Sequence, residues 1–143
     1  TKKMGRVFFD TRLNIHSLTG DYQALASDSN KVFMLNAAAG LTLTLPAVSD
    51  AQEGWNCEVV VGTVTTSNAY IVTEKTASDT NVIVSQFLEA ETDDTEDGPH
   101  DAGHTTITFQ GTPTKGDKLR IFCDGTNYYA SGVTQDDGGV ALA

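Results

Sequence analysis

The residues best equipped for chemistry lie in one acidic run, LEAETDDTEDGPHDAGH, residues 88–104. Within it Asp93, Thr95, Asp97 and Gly98 stand at the first, third, fifth and sixth positions of an EF-hand-like calcium loop. The match then fails, because position twelve is His104 rather than a bidentate glutamate and neither flank carries a helical stripe. A solvated acidic face is the preferred reading, with a calcium site of another kind as the alternative. His100 and His104 have the four-residue spacing of two zinc ligands on one helix face, but Pro99 and Gly103 break any regular helix there. No metal and no other cofactor is expected.

Nucleophilic catalysis finds equally little support. There is no Gly-x-Ser-x-Gly, and Ser131, in Ala130-Ser131-Gly132, has no base beside it in sequence. Cys57 and Cys123 fall at alternating positions inside predicted strands, with no adjacent cation to lower a thiol pKa. They read as buried free thiols, although a disulfide between facing strands stays geometrically open. Among the many carboxylates nothing singles out the pair a glycosidase needs. The expectation is a protein that is not an enzyme.

The elements that position these residues are strands. Leu119, Ile121 and Cys123 alternate with Lys118, Arg120 and Phe122, and Asp124-Gly125 then turns the chain into Tyr128, Tyr129 and Ala130, a hairpin signal. Thr105–Gln110 predicts a third strand beside them, in a meander. Upstream, short strands are predicted over 22–26, 32–37, 41–45, 55–61, 69–73 and 82–87, the spacing of a sandwich or barrel. Trp55, Cys57, Val59 and Val61 alternate inward, which makes that strand central. A single helical turn is expected between Ala47 and Gly54, capped by Ser49 or Asp50. Val140–Ala143 reads as a short strand completing a sheet edge, in this chain or a neighbour. The sum is one all-β domain, residues 21–143, an antiparallel β-sandwich or β-barrel of jelly-roll or tulip-like kind.

Charge narrows the partners. The chain of 143 residues has nineteen acidic and nine basic side chains, a net charge of −10, which disfavours nucleic acid and anionic membranes. No apolar run approaches the ~20 residues of a membrane span, and the first residues lack a signal-peptide core, so a soluble protein made in the cytoplasm is expected. Residues 1–20 hold Lys2, Lys3, Arg6 and Arg12 against Asp10 alone, +3, leaving −13 for the rest. With Val7, Phe8 and Phe9 they read as an extended docking arm, or equally as a strand on the edge of the domain's own sheet. Tyr128 and Tyr129 are adjacent on a strand, so one faces the core and the other is a candidate oligomer or partner anchor.

One resemblance joins these observations. Gly116-Asp117, the following apolar strand and Asp124-Gly125-Thr126-Asn127-Tyr128-Tyr129-Ala130-Ser131-Gly132 resemble the C-terminal part of small all-β virion proteins of tailed bacteriophages. Among these are head decoration, or cement, proteins, with related domains in tail-fibre and tailspike-associated chains. Lys31-Val32-Phe33-Met34-Leu35-Asn36-Ala37-Ala38-Ala39-Gly40, followed by Leu41-Thr42-Leu43-Thr44-Leu45-Pro46, resembles their strand, small-residue turn and strand ending in Leu-Pro. The likeness runs over residues 22–133 and rests on turn and core residues. It implies a capsid decoration protein on the virion exterior that stabilises the lattice of the phage major capsid protein. Lys2, Lys3, Arg6, Val7, Phe8, Phe9 and Arg12 would be its capsid-binding residues. It also implies a homo-oligomer, with a trimer favoured over a dimer. The alternative is a tail-fibre or receptor-binding domain that recognises a host surface glycan through exposed aromatics.

Overall fold

Period-two alternation becomes strand along most of the chain, because each such run can bury one face and wet the other. A computed structural model of the chain describes residues 12–90, 98–111 and 113–143. Its strands are β1 (Asn14–Leu18), β2 (Tyr22–Gln23), β3 (Lys31–Leu35), β4 (Leu41–Thr44), β5 (Glu53–Val61) and β6 (Tyr70–Thr73). They continue as β7 (Ile83–Glu89), β8 (His100–His104), β9 (Thr106–Phe109), β10 (Lys118–Asp124), β11 (Tyr128–Thr134) and β12 (Val140–Leu142). The protein is all-β. The expected helical turn is α1 (Val48–Ala51), but Ala47 precedes it without a side-chain cap and Gln52 ends it at φ 63°. Ser49 and Asp50 therefore lie inside the turn rather than at its cap.

Two sheets form, one of seven strands in the order β1-β3-β5-β10-β11-β7-β8 and one of five in the order β12-β9-β6-β4-β2. The sequence predicts antiparallel sheets, and both are mixed instead. From β1 to β6 the chain alternates between the sheets, so that β1, β3 and β5 stack in parallel in one and β2, β4 and β6 in the other. Each parallel pair is thus joined through a strand of the opposite sheet, which supplies the long connection that parallel pairing needs. Antiparallel pairing takes over afterwards, through β9 on β6, β10 on β5, β11 on β10 and β12 on β9, with β11 and β7 the remaining parallel pair.

Three further expectations change. The predicted meander is divided: β10 and β11 form the Asp124-Gly125 hairpin in the larger sheet, with Gly125 at φ 93°, while β9 belongs to the smaller one. The predicted strand over 22–26 ends at Gln23, because Asp28 draws the chain into a 3₁₀ turn, Ala26–Asp28, by accepting the Leu25 N–H at 2.8 Å. Residues 14–18, for which the sequence leaves a docking arm and an edge strand equally open, form the edge strand β1, so the body begins before residue 21.

One core lies between the sheets. Phe33, Leu35, Val59 and Ile121 from the larger sheet meet Leu43, Val72, Ile107 and Phe109 from the smaller, all essentially without exposure. Buried hydroxyls tie its corners. Tyr70 accepts the Ala37 N–H at 3.0 Å and donates to the Thr63 carbonyl at 2.6 Å, and Tyr128 donates to the Pro46 carbonyl.

Candidate functional site

The closest approach to a catalytic pair is one that sequence spacing does not reveal. Ser85 on β7 and His104 on β8, nineteen residues apart, meet with Oγ and Nε2 2.7 Å apart. His104 Nδ1 lies 3.0 Å from the Thr106 carbonyl oxygen, which can only accept, so Nδ1 carries the proton and Nε2 accepts from Ser85. Burial pushes the imidazole below its ordinary pKa, against the opposing pull of that carbonyl and of Asp101 and Glu74. Both side chains are sealed in the core, at 0% and 2% exposure, so no substrate reaches the hydroxyl. The pair is a neutral latch between two strands.

Buried carboxylates do similar work at the loops. Glu74 accepts the N–H groups of Asn81 and Val82 at 3.0 and 2.8 Å, Asp117 those of Thr114 and Gln135, both at 2.9 Å, and Asp79 that of Val48 at 3.1 Å. Half-buried Glu89 likewise accepts the N–H groups of Gly138 and Val140, both at 3.1 Å. Asp28 combines the Leu25 N–H with the Tyr22 hydroxyl and the Lys31 ammonium at 2.7 Å. Burial opposes its charge, but these three donors together hold its pKa below the ordinary carboxylate value. Much of the acidity is therefore structural. Unpaired loop N–H groups recruit these side chains, and no two of them flank an open cleft as an acid and base would.

Metal binding and thiol chemistry fare as follows. Among the described residues no group of three or more His, Cys, Asp and Glu side chains could hold a metal ion. His100 pairs with Gln86 on the exposed side of β7, whereas His104 pairs with Ile83 and is buried, so the two histidines do not converge. Asp93, Thr95 and Asp97 lie outside the described residues. Cys57 and Cys123 are free and buried, and burial raises both thiol pKa values, which leaves them unreactive.

What remains is surface. On the larger sheet, alternate residues face away from the core and form rows across the strands. One row runs Ile15, Val32, Glu58, Arg120, Ser131 and Gln86, and the next Ser17, Met34, Val60, Lys118, Val133 and Leu88. Leu88 is 71% exposed, Ile15 59%, Val133 51% and Phe122 49%. Over β10, β11 and β7 this face sinks into a depression of about 540 Å³ between Arg120, Lys118, Ser131, Val133 and Leu88. Gly132 lies beneath it; a Cβ there would stand 2.4 Å from the Lys118 carbonyl oxygen, so no side chain fits without parting β10 from β11.

The expected anchors separate as alternation requires. Tyr128 is fully buried and is a core residue rather than an interface one, while half-buried Tyr129 stacks on Phe122, with centroids 5.3 Å apart and planes at 20°. Of the expected docking residues, Lys2, Lys3, Arg6, Val7, Phe8 and Phe9 lie outside the described residues. Arg12 is exposed at the start of β1, and with Leu13, Asn14 and Ile15 it lines an open depression of about 550 Å³. Sequence reasoning missed Leu88, Val133, Met34 and Val60 as surface candidates. Their outward parity was readable within each strand, but their rows depend on register. Comparison with family models, curated proteins and solved structures found no match.

Proposed function

We propose that this protein is a non-enzymatic structural component of a tailed-phage virion, a decoration protein on the capsid exterior that stabilises the lattice of the major capsid protein. The residues resembling cement proteins motivate the family, and one structural observation supports the mode of attachment. Residue 12 leads directly into β1, which among the described residues is an edge strand of the seven-stranded sheet, paired with β3 alone, and beside which Leu13 and Ile15 are exposed. An edge strand whose outer N–H and C=O groups meet no other strand among the described residues, beside exposed apolar side chains, is a place from which a cationic, Phe-bearing segment can grip a neighbouring surface by strand addition. Each bound copy stabilises the shell only as far as it prefers assembled lattice to free subunits.

Deleting residues 1–12 tests this reading. The truncated protein is expected to keep its unfolding midpoint but to lose co-sedimentation with expanded heads; equal decoration by both forms would overturn it. The stacked Phe122–Tyr129 pair favours a second reading, glycan recognition by a tail-fibre domain, because sugar rings pack on exposed aromatic faces. Saccharide binding lost in Phe122→Ala, with no head binding in the full chain, would establish that reading instead.

A further inference from the structure

We infer that the outward face of the seven-stranded sheet is the contact surface of a face-to-face dimer, related by a two-fold axis along the seam between β5 and β10. The inference concerns association in solution and does not depend on the virion reading. Four of the seven large apolar side chains exposed among the described residues, Ile15, Leu88, Phe122 and Val133, belong to this face.

A second copy fits because the face is complementary to itself. Glu58 and Arg120 are direct cross-strand neighbours on the two sides of the seam. A two-fold axis along it sets Glu58 of each copy against Arg120 of the other, in two equivalent contacts. It also sets β3 over β11, so that half-buried Met34 of one copy faces Val133 of the other beside the depression at Gly132, while Val32, already buried within its own chain, lies behind the contact opposite Ser131. Met34 of each copy thereby packs on Val133 of its mate, which is 51% exposed, and the charged pair at the centre fixes the register. Six strands at ~4.8 Å spacing and five residues at ~3.3 Å make a footprint of about 29 by 17 Å, near the low end of specific interfaces once side-chain relief is added. The symmetry is two-fold, whereas the resemblance to decoration proteins implies a trimer.

The test uses the full chain and two single variants. Wild type is expected to pass from monomer to dimer with rising concentration in sedimentation equilibrium. Glu58→Arg and Arg120→Glu each bring like charges together at both contacts and should raise the dimer dissociation constant by on the order of 100-fold. Mixed in equal amounts, they should form a heterodimer, since residue 58 of each then meets an opposite charge at residue 120 of the other. A pairing within one chain does not produce this rescue, because each variant alone has like charges at 58 and 120. Val133→Asp, at an exposed position facing Met34 of the mate, should weaken the dimer without changing the unfolding midpoint, and serves if either charge variant folds poorly. The inference is overturned by a wild type that stays monomeric at all concentrations or forms trimers. It is equally overturned by variants that associate like wild type, or by a mixture that stays monomeric.

Discussion

On the outward face of the five-stranded sheet, Thr42, Thr44, Thr73, Thr106 and Thr108 surround Ile71, and small Ala141 stands beside Thr108. On the outward face of the seven-stranded sheet, Met34, Val60, Val133 and Leu88 stand beside Glu58, Lys118 and Arg120. Both faces cover the same core, so stability of the core does not explain their difference. Threonine suits a solvated sheet, since its β-branched methyl covers the backbone while its hydroxyl meets water or turns back on the chain. Thr73 Oγ1 donates to the Glu74 carbonyl at 3.1 Å, and Thr106 Oγ1 to that of Ala143 at 3.4 Å. The larger sheet instead leaves aliphatic surface in water, which is favourable only if something covers it. One face is finished by its own side chains, and the other is the one that the proposed dimer would complete.

The largest expected effect tests whether the two faces share one support. Ile121→Ala removes a fully buried side chain from the larger sheet and should cost about 2–5 kcal/mol. If the sheets share one core, denaturation followed by Trp55 fluorescence and by far-ultraviolet circular dichroism should shift together as a single transition. Separate transitions would mean that the faces sit on independently stable layers.

Next in size is a charge placed on each face in turn. Val133→Asp combined with Leu88→Asp should weaken self-association by roughly 100-fold or more, while Thr44→Asp combined with Thr108→Asp should leave it unchanged. Loss of association from the threonine face, measured by sedimentation, would erase the contrast drawn above.

Acid acts on the interior rather than on either face. The native pKa of His104 lies below the ordinary 6.5, so below that pH the unfolded chain takes up a proton that the native one refuses. Stability from this group is complete above 6.5 and declines as pH falls from there towards the native pKa, at no more than about 1.4 kcal/mol per pH unit. The Asp28 contribution is retained until pH falls below about 3.8, the ordinary value from which its native pKa is lowered. Unfolding midpoints at pH 7.5 and 5.5 measure the first term, and His104→Gln should flatten the difference.

The smallest effect belongs to the aromatic pair. Phe122→Ala and Tyr129→Ala, combined in a double-mutant cycle on the monomer, should show a coupling of about 0.5–1.5 kcal/mol. A coupling near zero would mean that the stack contributes nothing beyond the area each ring covers.

Most strands were legible because alternation is a local property. Leu119, Ile121 and Cys123 mark their own buried side wherever β10 goes, and Asp124-Gly125 makes a hairpin under any topology. His100–His104, HDAGH, gave no such signal. Its glycine, aspartate and histidines favour a loop, yet its backbone pairs with β7 and the Ser85 latch holds it there. The structural carboxylates were equally hidden, since Glu74 and Asp117 look like any other acid until the N–H groups they accept are placed around them.

By itself the sequence determined most of the runs that become strands, which side of each of those is apolar and where the chain turns at Asp124-Gly125, because those outcomes follow from side chains and backbone preferences a few residues apart. Only the tertiary structure decided which strands are neighbours, which pairs run parallel and which side chains share a row. Those depend on backbone hydrogen bonds between distant segments, bonds that any residue except proline can donate and that side-chain identity barely constrains. Glu58 therefore acquires Arg120 as its neighbour, and the face its self-complementary centre, from a register that neither strand encodes alone.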